Sequence, residues 1–151
     1  MQNSYTNYKA NINSGLIFMK DNMETVTASF GQVSITPDFF DTFYEIFINS
    51  HPDIRPMFAS TDLSKQKKLL KKGISYMILF AKESSAGKQA LEVIAKIHDK
   101  NNKNVRPELY PFWIDSLCKA LSKHDREWND ETEQAWRQVM EPGIKYFISL
   151  Y

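Results

Sequence analysis

The chain has 151 residues, of which 42% are hydrophobic and 25% are charged, which is typical of one soluble globular domain. Its formal net charge of +1 gives no electrostatic basis for binding nucleic acid or an anionic membrane. The single cysteine, Cys118, excludes an internal disulfide and a cysteine-based zinc cluster. No secretory signal is evident, and the longest fully apolar run, Tyr76–Ala81, is too short to span a membrane. The sequence therefore predicts a cytoplasmic protein.

The N-terminal third of the chain predicts a polar tail followed by two helices. Met1–Asn13 is rich in Asn, Ser, Thr and Tyr and is predicted to be a flexible tail, so that the folded domain spans 14–151. Apolar residues at helical spacing predict a helix over about Ser14–Phe30. Thr36 and Pro37 are the residue types of a helix cap and a first helical position, and they predict the start of the next helix. That helix is strongly aromatic: Phe39, Phe40, Phe43, Tyr44 and Phe47.

The next predicted helix, Asp62–Ala81, combines an apolar stripe with many lysines. We interpret the lysines as a solvated face: Lys65, Lys67, Lys68, Lys71 and Lys72. Gln66 lies at the open end of the apolar stripe and is a candidate site residue. The alternative is a surface glutamine whose place in the pattern is accidental.

His98 ends a fourth helical stripe, in which Leu91, Ile94 and Ala95 share its face. A neutral imidazole at this place can offer one ring nitrogen to a metal, while the other donates to a main-chain carbonyl one turn back. The alternative is a helix-end histidine that caps carbonyls or contacts water. A polar run, Asp99–Asn104, follows at once.

The C-terminal part of the chain predicts two further helices, one opened by Pro107 and one capped at Asp130. Pro142 lies inside the last helix and predicts a kink or break there. Period-2 strand patterns are absent from the sequence, as are the Gly-rich nucleotide-binding and zinc-protease motifs. His51 and His124 lie beside predicted turns and are interpreted as surface residues. The sequence thus predicts an all-α domain of six to eight helices.

Taken in order, several segments resemble a globin, specifically the bacterial single-domain type related to the globin part of flavohaemoglobins. The resemblance runs from about Met23 to the C-terminus and depends on these pieces: Phe43–Phe47, His51–Phe58, Asp62–Gln66, Ile94–His98, Val105–Tyr110 and Ala135–Trp136. It implies a globin fold with a pocket for haem b between helices that cross at steep angles.

The resemblance also implies the roles of individual residues. His98 matches the proximal histidine whose Nε2 binds the iron, and Phe58 matches the phenylalanine that packs on the porphyrin. Tyr44 matches a tyrosine above the iron. Gln66 matches the distal position, on the gas-binding side of the haem, and Leu70 matches the apolar residue one helical turn after it. The remaining residues of the predicted pocket are Phe43, Ile94, Val105 and Tyr110.

This set implies reversible binding of O2, CO or NO. Ferrous haem with one axial histidine leaves its sixth position open to such gases, and hydrogen bonds from Tyr44 and Gln66 favour O2. We therefore expect oxygen binding, storage or transport rather than an enzyme. The alternatives are an NO dioxygenase that depends on a separate reductase, and a gas-sensing or partner-binding globin. The sequence makes no prediction of oligomeric state.

Two departures from the flavohaemoglobin pattern concern His98. The linker after it is about two residues longer, so an ungapped alignment brings Lys100 rather than His98 to the ligand position. We favour His98 because Lys100 lies in a polar run off the stripe. The carboxylate that flavohaemoglobins pair with the histidine would fall near Tyr151, where no Asp or Glu is available. We therefore expect the remaining ring N–H of His98 to bond to a carbonyl such as that of Ile94.

Overall fold

The computed structural model describes residues 3–151, with side chains described for 11, 12 and 14–151. Its helices are α1 (Asn3–Val33), α2 (Phe39–Ile48), α3 (Ile54–Met57), α4 (Leu63–Ala81), α5 (Ser85–His98), a 3-10 helix (Pro107–Leu109), α6 (Tyr110–His124) and α7 (Asp130–Ser149). No β-strand occurs within 3–151. The predicted all-α class and helix number are confirmed.

The helices pack as pairs around one hydrophobic core. Helix α4 packs against α5, α2 packs against α6, and α7 contacts α1 and α4. The largest fully buried side chains include residues of α2 to α7: Trp136, Phe39, Phe43, Ile54, Ile74, Leu91 and Leu117. Of the helices in the described part of the chain, none is long and apolar enough to cross a membrane.

A buried polar chain joins α1 to α7. The indole Nε1 of Trp136 donates to Ser29 Oγ at 2.9 Å, and Ser29 Oγ donates to the carboxylate of Asp125 at 2.5 Å. All three side chains are nine-tenths or more buried. Because each buried polar group has a partner, the chain fixes the position of α1 without the penalty of an unsatisfied donor or acceptor.

Helix α1 starts earlier than the predicted Ser14. It is helical from Asn3, and Met1 and Gln2 lie outside the described residues. The described side chains before Asn22 are all exposed, so this part of α1 has no core-facing side that a hydrophobic pattern could mark. The residues from Asn3 to Asn13 also include no Pro or Gly that would end a helix. The start near Ser14 was wrong, whereas the flexibility of the tail and the domain limits 14–151 stay predictions.

The predicted cap at Thr36 was also wrong. The Thr36 hydroxyl donates to the carbonyl of Gln32 at 3.1 Å, so it closes the end of α1 rather than starting α2. Helix α2 begins at Phe39, after a turn in which the Phe39 N–H donates to the carbonyl of Pro37 at 2.5 Å. The last carbonyls of a helix lack partners within it, so the carbonyl of Gln32 was available to the Thr36 hydroxyl. A hydrogen bond from the hydroxyl to this carbonyl competes with its use as an N-cap.

The predicted break at Pro142 does not occur, because α7 runs through it from Asp130 to Ser149. Proline removes one backbone donor, but packing on both sides of it holds the helix together. Met140, Gly143 and Phe147 are buried, and Gly143 lies against the side chains of Met77 and Leu91.

Gly87 allows α5 to pass close to the end of α4. A Cβ atom there would lie 2.5 Å from the backbone nitrogen of Phe80 and 2.7 Å from the carbonyl carbon of Leu79. Backbone atoms cannot rotate aside, so we expect Gly87→Ala to lower the free energy of unfolding by about 1–3 kcal/mol, measured by denaturant titration. The control is Gly73→Ala in α4, where no atom lies within 4 Å of the added Cβ. We expect it to be neutral or to stabilise by up to about 1 kcal/mol. Equal stability of the two variants would contradict this packing.

Candidate functional site

Helix α5 ends with His98 turned toward the protein interior. Leu91 and Ala95, on the same face, are buried in the core, which sets the side of the helix on which the imidazole lies. Burial lowers the pKa of His98, so the neutral imidazole dominates at neutral pH. Its buried Nδ1 has no hydrogen-bond partner among the described residues. A neutral ring without partners has the state required of a metal ligand.

The expected bond from His98 to the carbonyl of Ile94 is absent, so that prediction was wrong. The ring packs edge-on against Phe147 of α7, with the two ring centroids 5.8 Å apart and an interplanar angle of 90°. Phe147 in turn stacks on Tyr110 of α6, with centroids 6.0 Å apart. Burial raises the pKa of Tyr110 to about 12. We call His98, Phe147 and Tyr110 the histidine cluster.

No carboxylate forms an ion pair with His98 in the part of the chain that the structure describes. Tyr151, at the position where the carboxylate would fall, instead donates to the side-chain oxygen of Asn104 at 2.6 Å. The histidine cluster therefore has an aromatic rather than an anionic surrounding.

The loop after His98 is a hydrogen-bonded turn. The Asn102 amide donates to the carbonyl of Lys96 at 2.9 Å, and the Val105 N–H donates to the carbonyl of His98 at 2.9 Å. Asn104 has a φ of 50°, a conformation that asparagine tolerates better than most residues. The extra residues of the longer linker thus lie in this turn after α5, and Lys100 is exposed there. This geometry disfavours Lys100 as the residue equivalent to the ligand.

On α2, Tyr44 is 3% exposed and lies among aromatic rings. Its ring centroid is 5.1 Å from that of Phe43 and 5.7 Å from that of Phe58, at the end of α3. The Tyr44 hydroxyl donates to the main-chain carbonyl of Gln66 at 3.3 Å, near the long limit for such a bond. We call Tyr44, Phe43, Phe58 and Gln66 the tyrosine cluster.

The tyrosine cluster retains two hydrogen-bond donors at neutral pH. Burial raises the pKa of Tyr44 to about 12, so the phenol stays protonated. The Gln66 side chain lies close enough to the Tyr44 hydroxyl to lower the Tyr44 pKa, by less than burial raises it. Both groups can therefore donate to a small ligand next to them.

The other predicted site residues belong to the hydrophobic core. Leu70, Ile94 and Val105 are half-buried and pack against the same hydrophobic core as Tyr44 and Tyr110. Sequence reasoning missed Phe147 as a site residue. The apolar stripe of the last helix contains it, but its contact with His98 spans 49 positions and has no local signal.

Comparisons with known proteins agree with this architecture. The family model described as globin matches residues 40–144, more than half of the chain. The chain is also similar to the crystal structure of a Pseudomonas aeruginosa protein described as structurally highly homologous to a human hemoglobin. The TM-score is 0.82 at 39% sequence identity, and the match covers 86% of this chain and 98% of that one. A search of curated proteins gave no match.

The all-α fold and the family match over residues 40–144 together define the class of protein. The chain belongs to the globin family. Globins bind haem and, through it, diatomic gases. The residues fit that group, because the mostly buried imidazole of His98 is neutral and makes no side-chain hydrogen bond to the described residues, which leaves a ring lone pair for the iron.

Proposed function

We propose that this globin binds haem b through Nε2 of His98 and reversibly binds O2, CO and NO, for oxygen binding, storage or transport. We further propose that it is similar to the globin part of flavohaemoglobins and acts in the cytoplasm. The observation that carries the proposal is the neutral, mostly buried imidazole of His98, which makes no side-chain hydrogen bond to the described residues and so leaves Nε2 available as a ligand. With the proton on Nδ1, the Nε2 lone pair is available to a metal.

In this proposal the tyrosine cluster selects the gas. Ferrous haem with one histidine ligand supplies an open coordination position. The Tyr44 hydroxyl would leave its long bond to the Gln66 carbonyl and donate to O2, and the Gln66 amide would donate as well. O2 draws electron density from the iron more strongly than CO does, so these donors favour O2. Phe58 would pack on the porphyrin face.

The histidine cluster would hold the imidazole in place. Phe147 fixes the ring from the side and Tyr110 supports Phe147. The remaining wall residues would be Phe43, Leu70, Ile94 and Val105. Without a carboxylate partner the imidazole stays a neutral donor, which suits a carrier better than a peroxidase.

The same donor pair also supports a second candidate, an NO dioxygenase that relies on a separate reductase to restore the ferrous state. O2 equilibrium titration of the reduced protein and NO consumption in the presence of a general reductase distinguish the two. We expect a saturable, reversible O2 curve and no sustained NO consumption beyond one turnover. Continuous NO consumption would assign the enzyme instead, and the absence of any O2-dependent change would contradict both.

A further inference from the structure

Helix α1 carries one apolar stripe that continues beyond the hydrophobic core. Its members follow each other in alternating steps of four and three residues: Ile12, Leu16, Met19, Met23, Val26, Phe30 and Val33. Such a stripe repeats every seven residues and is the pattern by which one helix packs along another. In the C-terminal half of α1 the stripe is buried, and Phe30 packs edge-on against Trp136 of α7 with ring centroids 6.1 Å apart.

The N-terminal half of the same stripe faces solvent. Leu16 is 63% exposed and Ile12 45%, and the neighbouring Ile17 and Phe18 are 61% and 50% exposed. Single exposed apolar residues are common, but a contiguous group of this kind marks an interaction surface. The segment 3–15 also contains four asparagines and a glycine, which are weak helix formers. A helix of this composition depends on packing for its stability, so this half of α1 requires a partner.

A groove lies beside the stripe, between α1 and the end of α4. Its volume is about 800 Å³, and its apolar lining includes Leu16, Met19, Met23, Ala28 and Ala81. Because a cavity of about 150 Å³ holds one benzene, the groove has room for roughly five large apolar side chains. It extends along α1 as far as Ala28, beyond the last exposed member of the stripe, Met19.

The charges along the groove have both signs in equal number: Lys20, Lys82, Glu24 and Glu83. Lys20 Nζ lies 4.0 Å from the Glu24 carboxylate, and both side chains are at least 70% exposed, so this ion pair is weak and can exchange partners. A mixed set of charges does not favour an anionic membrane or a strongly acidic partner. It does suit a second copy of the same surface, because a two-fold contact must be complementary to itself.

We propose that two copies of this chain form a dimer through α1, with the N-terminal half of each helix lying antiparallel in the groove of the other copy. The exposed half of the stripe ends where the groove continues, so only the antiparallel direction lets each copy cover the other. A register with Leu16 of one copy beside Met19 of the other also brings Ile12 beside Met23. Each of these contacts joins the two kinds of seam position of the seven-residue repeat. The proposal is independent of haem and of the proposed function.

The first test measures the mass of the full-length protein by sedimentation equilibrium over a range of micromolar concentrations. We expect twice the chain mass for the wild type. The double variant Leu16→Glu, Met19→Glu should raise the dimer dissociation constant at least about 100-fold, because it places unpaired charges in the contact. The control is Ile35→Glu, since Ile35 is 79% exposed but lies outside the groove, and it should leave the dimer unchanged. A wild type that stays monomeric throughout, or a double variant that dimerises as tightly as the wild type, would overturn the proposal.

The second test uses disulfide cross-linking under mild oxidation, which reports the direction of the helices without weakening the contact. A mixture of Ile12→Cys and Met23→Cys proteins should give a cross-linked dimer, whereas Ile12→Cys alone and the wild type, whose Cys118 is buried, should not. Cross-linking of Ile12→Cys to itself, or none in the mixture, would overturn the antiparallel pairing. Co-sedimentation of a monomeric wild type with vesicles of anionic phospholipid would assign the stripe to a membrane surface and would also overturn the proposal.

Discussion

Replacing His98 by alanine is expected to weaken haem binding at least about 100-fold. Loss of a residue that merely supports a metal ligand already lowers affinity 10–100-fold, and His98 is proposed to be the ligand itself. The effect is measured by titrating the haem-free variant with hemin and following the absorption of the bound form. Circular dichroism of the same samples checks that the helices are retained.

The matched control for this prediction is His51→Ala. The His51 ring packs against Phe112 at a centroid distance of 4.8 Å and an interplanar angle of 54°, and it lies outside both clusters. We expect its haem affinity to stay within about threefold of wild type. Added imidazole should restore haem absorption to His98→Ala, because a free imidazole can occupy the space of the lost ring. Wild-type haem affinity in His98→Ala, without imidazole, would refute the ligand assignment.

Replacing Tyr44 by phenylalanine is expected to speed O2 dissociation by roughly 10–100-fold. A hydrogen bond to a partner carrying charge contributes about 1.5–3 kcal/mol, and each 1.4 kcal/mol is about tenfold. CO dissociation should change much less. The measurement is stopped-flow mixing of the O2 complex with excess CO.

The pH dependence follows from the raised pKa of Tyr44. The phenol is protonated, and is a donor, at every pH well below about 12. We therefore expect the wild-type O2 dissociation rate to be constant over the neutral range and to rise only as the pH approaches that pKa. A control variant, Tyr146→Phe, alters a half-buried tyrosine stacked on Phe80 outside both clusters and should keep the wild-type rate. An unchanged rate in Tyr44→Phe would remove Tyr44 from the proposed mechanism.

Local patterns predicted the elements that carry the site. The stripe through Leu91 and Ala95 predicted which face of α5 is buried, and therefore that His98 lies inside. The aromatic run in α2 likewise predicted that Tyr44 is buried, and the structure confirms it. These predictions succeed because burial of one helix face leaves a period of 3.6 in the sequence.

What could not be predicted depends on contacts between distant residues. The approach of Phe147 to His98 and the Asp41–Lys67 ion pair join positions on separate helices, and neither leaves a local period. The first part of α1 is helical, but its described side chains before Asn22 are exposed, so its pattern resembled a tail. Pro142 is tolerated because tertiary packing of Met140 and Gly143 outweighs the lost backbone hydrogen bond.

The most direct test of the account is the absorption spectrum of the purified wild-type protein titrated with hemin, recorded in the ferric, ferrous and CO-treated states. We expect saturation at one haem per chain, a ferrous spectrum typical of a single histidine ligand, and a shift when CO is added. A protein that stays colourless and takes up no hemin, or whose ferrous spectrum does not change with CO, would contradict the assignment of His98 and Tyr44 to opposite sides of a gas-binding haem.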